Sequence, residues 1–504
     1  MKKILLSLLL VAGVLTSCDM DKNPYGTLNG EDPFAGMNDA SRYRNGIYSG
    51  IRAVATSAYF TNPEIQMDMF QATNQVGNRG IVFASGDILA STGETGTYYG
   101  SLLMQVASVN YYLEKMSELM AIDTDEANMV AYNRFVGEAK FARAYYNSLL
   151  LDRFCPEYTE ANADKPGLGV QIFSDYNPSP DRSTYPARST MNETLAFINQ
   201  DLTDALNAMV AYEASSPDAG RLTAMAPYIN SNVVKALQAR IALLTLDYST
   251  AVSKANEVIN TGIYPLVTYA NYSKMWLNDE GTEIIFRPFE SLNELGSAIG
   301  SRWLSIYDDQ SDYVPTQTCL DMYSRRTDAR YNAYFDTRDL NFEGDVVTTF
   351  TFNKFPGNPA LQPSSSPNLV NMAKPFRTSE LYLIVAEASY RLSKEGDANA
   401  ALNAIRNVRL RGHSDETFSG EELLEEIQLE RTRELIGEGF RMSDLRRWHL
   451  AMSRSNPQED VASYLWPSTV TMSYPADSYK YTWPIPDHEL QVNPQLAGQQ
   501  NPGY

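Results

Sequence analysis

The chain has 504 residues, 43% of them hydrophobic and 20% charged, enough apolar material for a large buried core. Its formal charge is −20, from 41 Lys plus Arg against 61 Asp plus Glu, and a surface of that sign repels nucleic acid and anionic lipid headgroups and favours neutral or cationic ligands. With only 3 Cys, a disulfide-stapled scaffold is excluded.

Lys2 and Lys3 precede a short apolar run, Ile4 to Leu15, which closes on Leu15-Thr16-Ser17-Cys18. A basic flank, a short apolar core and small residues at its end mark a secretory signal, and the run is too short for a permanent transmembrane helix. Cysteine at the cleavage position resembles a bacterial lipobox. That implies a signal peptide over residues 1–17, Cys18 as the acylated start of the mature chain, and a lipidated tether over 18–36. Asp19, Asp21, Asn23, Pro24, Gly26, Gly30 and Pro33 punctuate this stretch without periodicity. Asp19-x-Asp21-x-Asn23 begins like a calcium loop but has Pro24 where the sixth-position glycine belongs and Gly30 where the acidic closer belongs, so it is rejected.

Helical spacing begins near residue 38 with Ala40, Tyr43, Ile47 and Ile51 on one stripe. Residues 60–100 read as irregular, broken by Gly77, Gly80, Gly86, Gly93, Gly96 and Gly100, and a long helix follows with Leu102, Val106, Val109 and Leu113 on one face. Phe135, Ala139, Ala142, Tyr146 and Leu149 mark a helix over 133–154, and Leu195, Ile198, Leu202 and Leu206 another over 190–210. Helices over 228–246 and 249–260 sit back to back, the second closed by Gly262. Residues 263–377 form a long insertion with β-like runs at Glu283 to Phe286 and Val346 to Phe352. Its Trp276, Trp303, Tyr307, Tyr313, Tyr331 and Tyr334 make it too aromatic for disorder. A second helical pair starts near 378, with Leu381, Ile384, Val385 and Ala388, then Ala398, Ala401, Leu402 and Ile405. Ser419 to Glu422 reads as a capping box for one more helix, on which Glu430, Arg431, Arg433 and Glu434 offer opposed charges at i, i+3 spacing. Small residues such as Ala251, Ala255, Ala398 and Ala401 let paired helices approach closely. The expected fold is therefore mainly α: a tetratricopeptide-like helical-repeat scaffold, fitting its 34-residue period loosely, with long irregular, aromatic-rich insertions that bind a ligand.

The search for catalytic chemistry is mostly negative. His413, His449 and His488 are far apart, and the chain has no His-Glu-x-x-His, Cys-x-x-Cys, Gly-x-Ser-x-Gly or Gly-Lys-Ser/Thr motif. No metal site, cofactor or catalytic residue is expected. Asp308-Asp309 is a candidate carboxylate pair for glycoside hydrolysis, with an exposed acidic loop as the plainer reading. A surface glycan hydrolase therefore stands as the alternative class. Cys155 and Cys319 could be bonded or remain two buried thiols.

Several segments together resemble one family. They are Phe135-Val-Gly-Glu-Ala-Lys-Phe-Ala-Arg-Ala-Tyr-Tyr146, Tyr185-Pro-Ala-Arg-Ser-Thr190, Val234-Lys-Ala-Leu-Gln-Ala-Arg240 and Glu380-Leu-Tyr-Leu-Ile-Val-Ala-Glu-Ala388. The most specific is Glu430-Arg-Thr-Arg-Glu-Leu-Ile-Gly-Glu-Gly-Phe-Arg441 with Asp444-Leu-Arg-Arg-Trp448, and the tail adds Trp483-Pro-Ile-Pro486 and Gln500-Asn-Pro-Gly-Tyr504. From Cys18 to Tyr504 the chain resembles the SusD/RagB outer-membrane lipoproteins. The resemblance implies one SusD/RagB-like domain over 37–504, with helical pairs at about 38–260 and 378–450 and the ligand-side insertion at about 263–377. It implies a lipid-anchored protein on the outer face of the outer membrane, acting as a hinged lid on a SusC-like TonB-dependent β-barrel transporter. The implied ligand is an oligosaccharide nutrient. The spelling Glu430 to Gly439 and Tyr481-Thr-Trp483 lean toward a RagB-like branch, in which the ligand is an oligopeptide.

By position within that family, residues 68–99 and 276–313 correspond to ligand contacts. They nominate Asp68, Asn74, Arg79, Tyr98 and Tyr99 from the first segment, and Trp303 and Tyr307 from the second. Aromatic faces stack on the C–H faces of sugar rings while amides and charges bond the hydroxyls. Core packing for the aromatics and structural ion pairs for Asp68 and Arg79 are the competing roles.

Overall fold

A computed structural model describes residues 34–504 apart from residue 308; Cys18 and the expected signal and tether up to Pro33 lie outside the described residues. Helices of eight residues or more are numbered α1–α11, and shorter ones are given by range. The first half of the chain holds α1 (Met37–Ala55), α2 (Ala58–Gln66), α3 (Gly93–Ile122), α4 (Glu126–Phe154), α5 (Met191–Ser215), α6 (Ser231–Leu244) and α7 (Tyr248–Ile259). After the insertion come α8 (Thr378–Arg391), α9 (Glu395–Arg409), α10 (Gly420–Leu435) and α11 (Arg441–Trp448). The strands are short and pair in twos: β1 (Phe70–Ala72) with β3 (Tyr313–Pro315), β2 (Ile284–Phe286) with β6 (Phe376–Arg377), β4 (Phe335–Phe342) with β5 (Asp345–Phe352), and β7 (Met452–Arg454) with β8 (Met472–Tyr474). The fold is mainly α, as the periodicity predicts.

Consecutive helices pack as hairpins: α3 on α4, α4 on α5, α6 on α7, and α8 on α9. α4 is apolar around most of its circumference, so it is covered on several sides by α1, α3, α5 and α6. Gly137 sets its approach to α5, since a Cβ there would lie 2.5 Å from the Ala208 methyl. Ala251, Ala255 and Ala398 are fully buried and Ala401 nearly so, which allows the close pairing of α6–α7 and α8–α9. α7 also packs on α8. The insertion thus leaves the helical stack and returns to it. Within the insertion, β4 and β5 form a hairpin whose two-residue turn, Glu343 and Gly344, has φ of +57 and +108, the left-handed pair that matches strand twist.

Two readings change, and the open question of the cysteines is answered. Residues 58–66 are helical, and α3 begins at Gly93, so Gly93, Gly96 and Gly100 lie within a helix rather than breaking one. Ser419 is the N-cap of α10 but makes no side-chain cap bond; the N–H of Gly420 donates to Glu395 instead. A reciprocal capping box does open α5, between Thr190 and Glu193. Cys155 and Cys319 are separate, buried thiols, and burial raises both. Iodoacetamide should alkylate neither in the native protein and both after denaturation without reductant, read by peptide mass mapping. Recovery of a Cys155–Cys319 disulfide would contradict this.

The segment Glu430 to Arg441 is an ion lattice that ties the insertion to the helices. Glu434 accepts from Arg377 at 3.0 Å, from Arg409 at 2.9 and 3.0 Å, and from Arg330 at 3.3 Å. Glu283, on the insertion, accepts from the same Arg377 and Arg409 at 2.7 and 2.8 Å. Glu430 joins Arg330, Arg406 and, at the expected i, i+3 spacing, Arg433. Lys354 donates to Glu438 at 2.7 Å and to the Ile436 carbonyl at 2.8 Å; burial lowers its ammonium to about 8, although Glu438 opposes the shift. The Glu64 carboxylate takes the N–H groups of Gly437 and Gly439 at 3.0 and 2.8 Å, fixing the turn after α10 against α2.

Candidate functional site

The β1–β3 pair, with Phe70 opposite Pro315 and Ala72 opposite Tyr313, brings residues 68–80 against the insertion. Above it, four loops meet. The N–H of Asn74 donates to the Tyr464 carbonyl at 2.8 Å, and the N–H of Trp466 to the Ala72 carbonyl at 2.8 Å. The Gln75 amide donates to the Asn341 carbonyl at 2.8 Å and accepts from the Ser311 N–H at 2.9 Å. Arg302 and Tyr313 both donate to the Arg79 carbonyl, at 3.0 and 2.8 Å. Backbone bonds join the Asn74 and Trp466 segments, and the side chains of Gln75, Arg302 and Tyr313 tie the insertion to them.

Three nominated residues reach solvent on this cluster. Asn74 and Arg79 are exposed, and Tyr307 is 61% exposed. The Arg79 guanidinium is anchored from below by Asp312, whose carboxylate accepts from Nε at 2.6 Å and from Nη2. Burial pushes the Asp312 carboxyl up while Arg79 pulls it down. The arrangement orients an exposed cation on a buried counter-ion and keeps remaining donors outward. Trp466, at 37% exposed, joins the cluster and was not visible as a site residue in the sequence. It lies nearly four hundred residues from Ala72, and no local spacing signals that the two meet.

Of the other four nominated residues, Trp303 and Tyr99 are corrected to core, and Tyr98 and Asp68 are engaged by neighbours inside the protein. Trp303 is 1% exposed, with ring centroids 4.9 Å from Phe352, 5.5 Å from Phe70 and 5.8 Å from Phe355. It is a core residue of the insertion. Tyr99 is buried, donates to Gln171 at 2.9 Å and meets Phe154 edge-on. Tyr98 is partly buried; it accepts from the Asn62 amide at 2.7 Å and stacks on Trp483 at 5.7 Å. Asp68 accepts from Nε and Nη2 of Arg441, at 2.8 and 2.6 Å, the structural ion pair weighed above. Trp303 and Tyr99 are buried, whereas Tyr98 and Asp68 stay partly exposed beside their internal partners. Asp309 is exposed, but Asp308 lies outside the described residues, so the carboxylate pair has no measured separation. Among the described residues, no three His, Cys, Asp or Glu side chains are placed to hold a metal ion, and no helix is long and apolar enough to cross a membrane.

Comparison with known proteins decides the family. A sequence model described as the SusD family matches residues 305–504, and one described as starch-binding associating with outer membrane matches residues 38–229. The chain belongs to the SusD/RagB family. Solved structures of the same fold include a SusD superfamily protein from Bacteroides thetaiotaomicron, 24% identical, with a TM-score of 0.76 over 93% of this chain and 100% of that one. A SusD superfamily protein from Bacteroides vulgatus is 22% identical, with a TM-score of 0.74 over 94% of this chain and 100% of that one. A SusD-like carbohydrate binding protein from Bacteroides vulgatus is 19% identical, with a TM-score of 0.74 over 92% and 98%. No curated protein matches the chain. As a SusD/RagB protein, it carries its most distinctive segment, Glu430 to Arg441, as buried scaffold rather than as ligand surface.

Proposed function

We propose that this SusD/RagB protein is a non-catalytic glycan-binding lipoprotein of the outer membrane. It captures an oligosaccharide at the cell exterior and passes it, as a hinged lid, to a SusC-like TonB-dependent barrel. The observation that carries the ligand part is the exposed set Asn74, Arg79, Tyr307 and Trp466, on three loops joined by backbone and side-chain bonds. Aromatic faces beside amide and guanidinium donors are what a neutral, hydroxyl-rich chain requires. Family membership and the carbohydrate-binding relative support the same reading. Cys18, as the acylated residue, would supply the anchor. The oligopeptide alternative rests on the RagB-like spelling of Glu430 to Gly439 and Tyr481-Thr-Trp483; both segments are largely buried, so a peptide ligand would be read at the same exposed loops.

Calorimetry on the mature chain with starch-derived oligosaccharides, other glycans and short peptides tests the ligand. Binding of a glycan without turnover is expected. Arg79→Ala, Tyr307→Ala and Trp466→Ala should each weaken it by about tenfold, ~1.4 kcal/mol. Peptide binding that these variants abolish would reassign the ligand, and release of shorter glycans would mark a hydrolase. Cys18→Ala should move the protein from the membrane to the soluble fraction; continued membrane retention would refute lipid anchoring.

A further inference from the structure

A groove unrelated to the loop cluster follows the outer face of α3. Its first stretch, of about 670 Å³, has Leu103 and Met104 of α3 as floor, Phe173, Tyr176 and Tyr185 as one wall, and the short helix Asp487–Val492 as the other. Its second stretch, of about 740 Å³, has Leu113 and Met120 of α3 beside Val136 of α4. The two stretches meet at Asn110, Asp175 and Tyr176, which line both, and lie end to end along α3. From Gly96 to Ala121 they run for about 38 Å along the helix, at 1.5 Å per residue. Gly96 and Gly100 lie on this face, and their missing side chains keep its first end open. Met104 is 66% exposed on the floor.

The rim is acidic. Glu114, Glu118, Asp175 and Glu489 line it, and Lys140 is engaged by Asp204 and Arg143 by Asp201. Lys115 is buried beneath Glu114 and Glu118 and balances only one of them. Burial against apolar neighbours raises the Glu489 carboxyl, with His488 opposing. This charge excludes the chain's own segments as occupants. Residues 19–33 carry Asp19, Asp21, Glu31 and Asp32 against Lys22 alone, and a second copy brings a net charge of −20. The floor of leucine, methionine and valine is aliphatic and adaptable and suits apolar side chains, with Phe173, Tyr176 and Tyr185 of the wall adding apolar faces.

We infer that this groove docks a basic, amphipathic segment of a partner protein, with apolar anchors on the α3 floor and Lys or Arg against the acidic rim. Helix-in-groove recognition uses this combination, and a helix of roughly 18 residues, about 27 Å long, fits within the groove. The inference is independent of the glycan reading, because the groove shares no residue with the loop cluster.

The test uses the full chain and a fluorescein-labelled Leu/Lys peptide of that length, with leucines at i, i+3, i+4 and i+7, read by anisotropy. Saturable binding is expected, weakened at least tenfold by Met104→Glu and by Glu489→Lys, while the charge-reversed Leu/Glu peptide does not bind. Both substituted side chains reach solvent, and circular dichroism confirms that the variants fold. Equal binding by wild type and both variants would reduce the effect to general attraction by an acidic surface and overturn the inference. So would absence of binding, or displacement of the peptide by an oligosaccharide. A wild-type dimer in sedimentation that Met104→Glu dissociates would instead make this face a self-association surface.

Discussion

Glu434→Gln should lower the urea midpoint more than any surface substitution, corresponding to roughly 3–5 kcal/mol, the usual consequence of removing one partner from a buried ion network. The carboxylate is fully buried and accepts from Arg330, Arg377 and Arg409, so its neutral amide leaves three guanidinium groups short of one counter-charge. Glu283 remains, but it already accepts from two of them. The same network predicts acid lability. Burial alone would raise Glu434 and Glu430. Arg409 and Arg377 outweigh it at the first, and Arg330, Arg433 and Arg406 at the second, holding Glu434 well below the usual range and Glu430 at about 2. Because these folded values lie below the free value of about 4.3, the stability they contribute is complete above that pH and is lost as pH falls toward 2. Tryptophan fluorescence across urea at pH 7 and pH 3 measures both effects. An unchanged midpoint for Glu434→Gln would show that the network contributes no net stability.

Trp303→Ala is expected to cost about 3–5 kcal/mol, because it empties a ring-sized volume between Phe70, Phe352 and Phe355. Tyr307→Ala, four residues along the same loop, should leave the midpoint within about 0.5 kcal/mol of wild type while reducing glycan affinity. The contrast separates core from ligand surface within one segment. If Trp303→Ala instead folded with wild-type stability and lost only glycan binding, its ring would belong to the binding face and the packing argument would fail.

The helical hairpins were legible because their signals are local. Stripes such as Leu195, Ile198 and Leu202, and alanines such as Ala251 and Ala255, lie within a few turns of one another, and the structure buries them as that spacing requires. The irregular reading of residues 60–100 holds at Gly77, Gly80 and Gly86 and fails at Gly93, Gly96 and Gly100. Gly96 and Gly100 sit inside α3 because a long helix supported along its inner face tolerates their modest helix penalty, and their small size shapes the groove outside. The site was only partly legible. Asn74, Arg79 and Tyr307 reach solvent, whereas Asp68 is taken by Arg441, which is 373 positions away.

By itself, the sequence determined the mainly helical class, the paired-helix rhythm and the family, since periodicity and motif spelling are properties of neighbouring residues. The tertiary structure alone decided which aromatics reach solvent and which are core. Tyr307 and Trp303 have the same loop context, and their opposite exposures depend on Phe70 and Phe352 arriving from distant strands. It likewise decided that Trp466 stands beside Ala72 and that Glu434 pairs with Arg377 and Arg409, because burial and charge partnership are set by whatever the folded chain places alongside a residue, not by its neighbours in sequence.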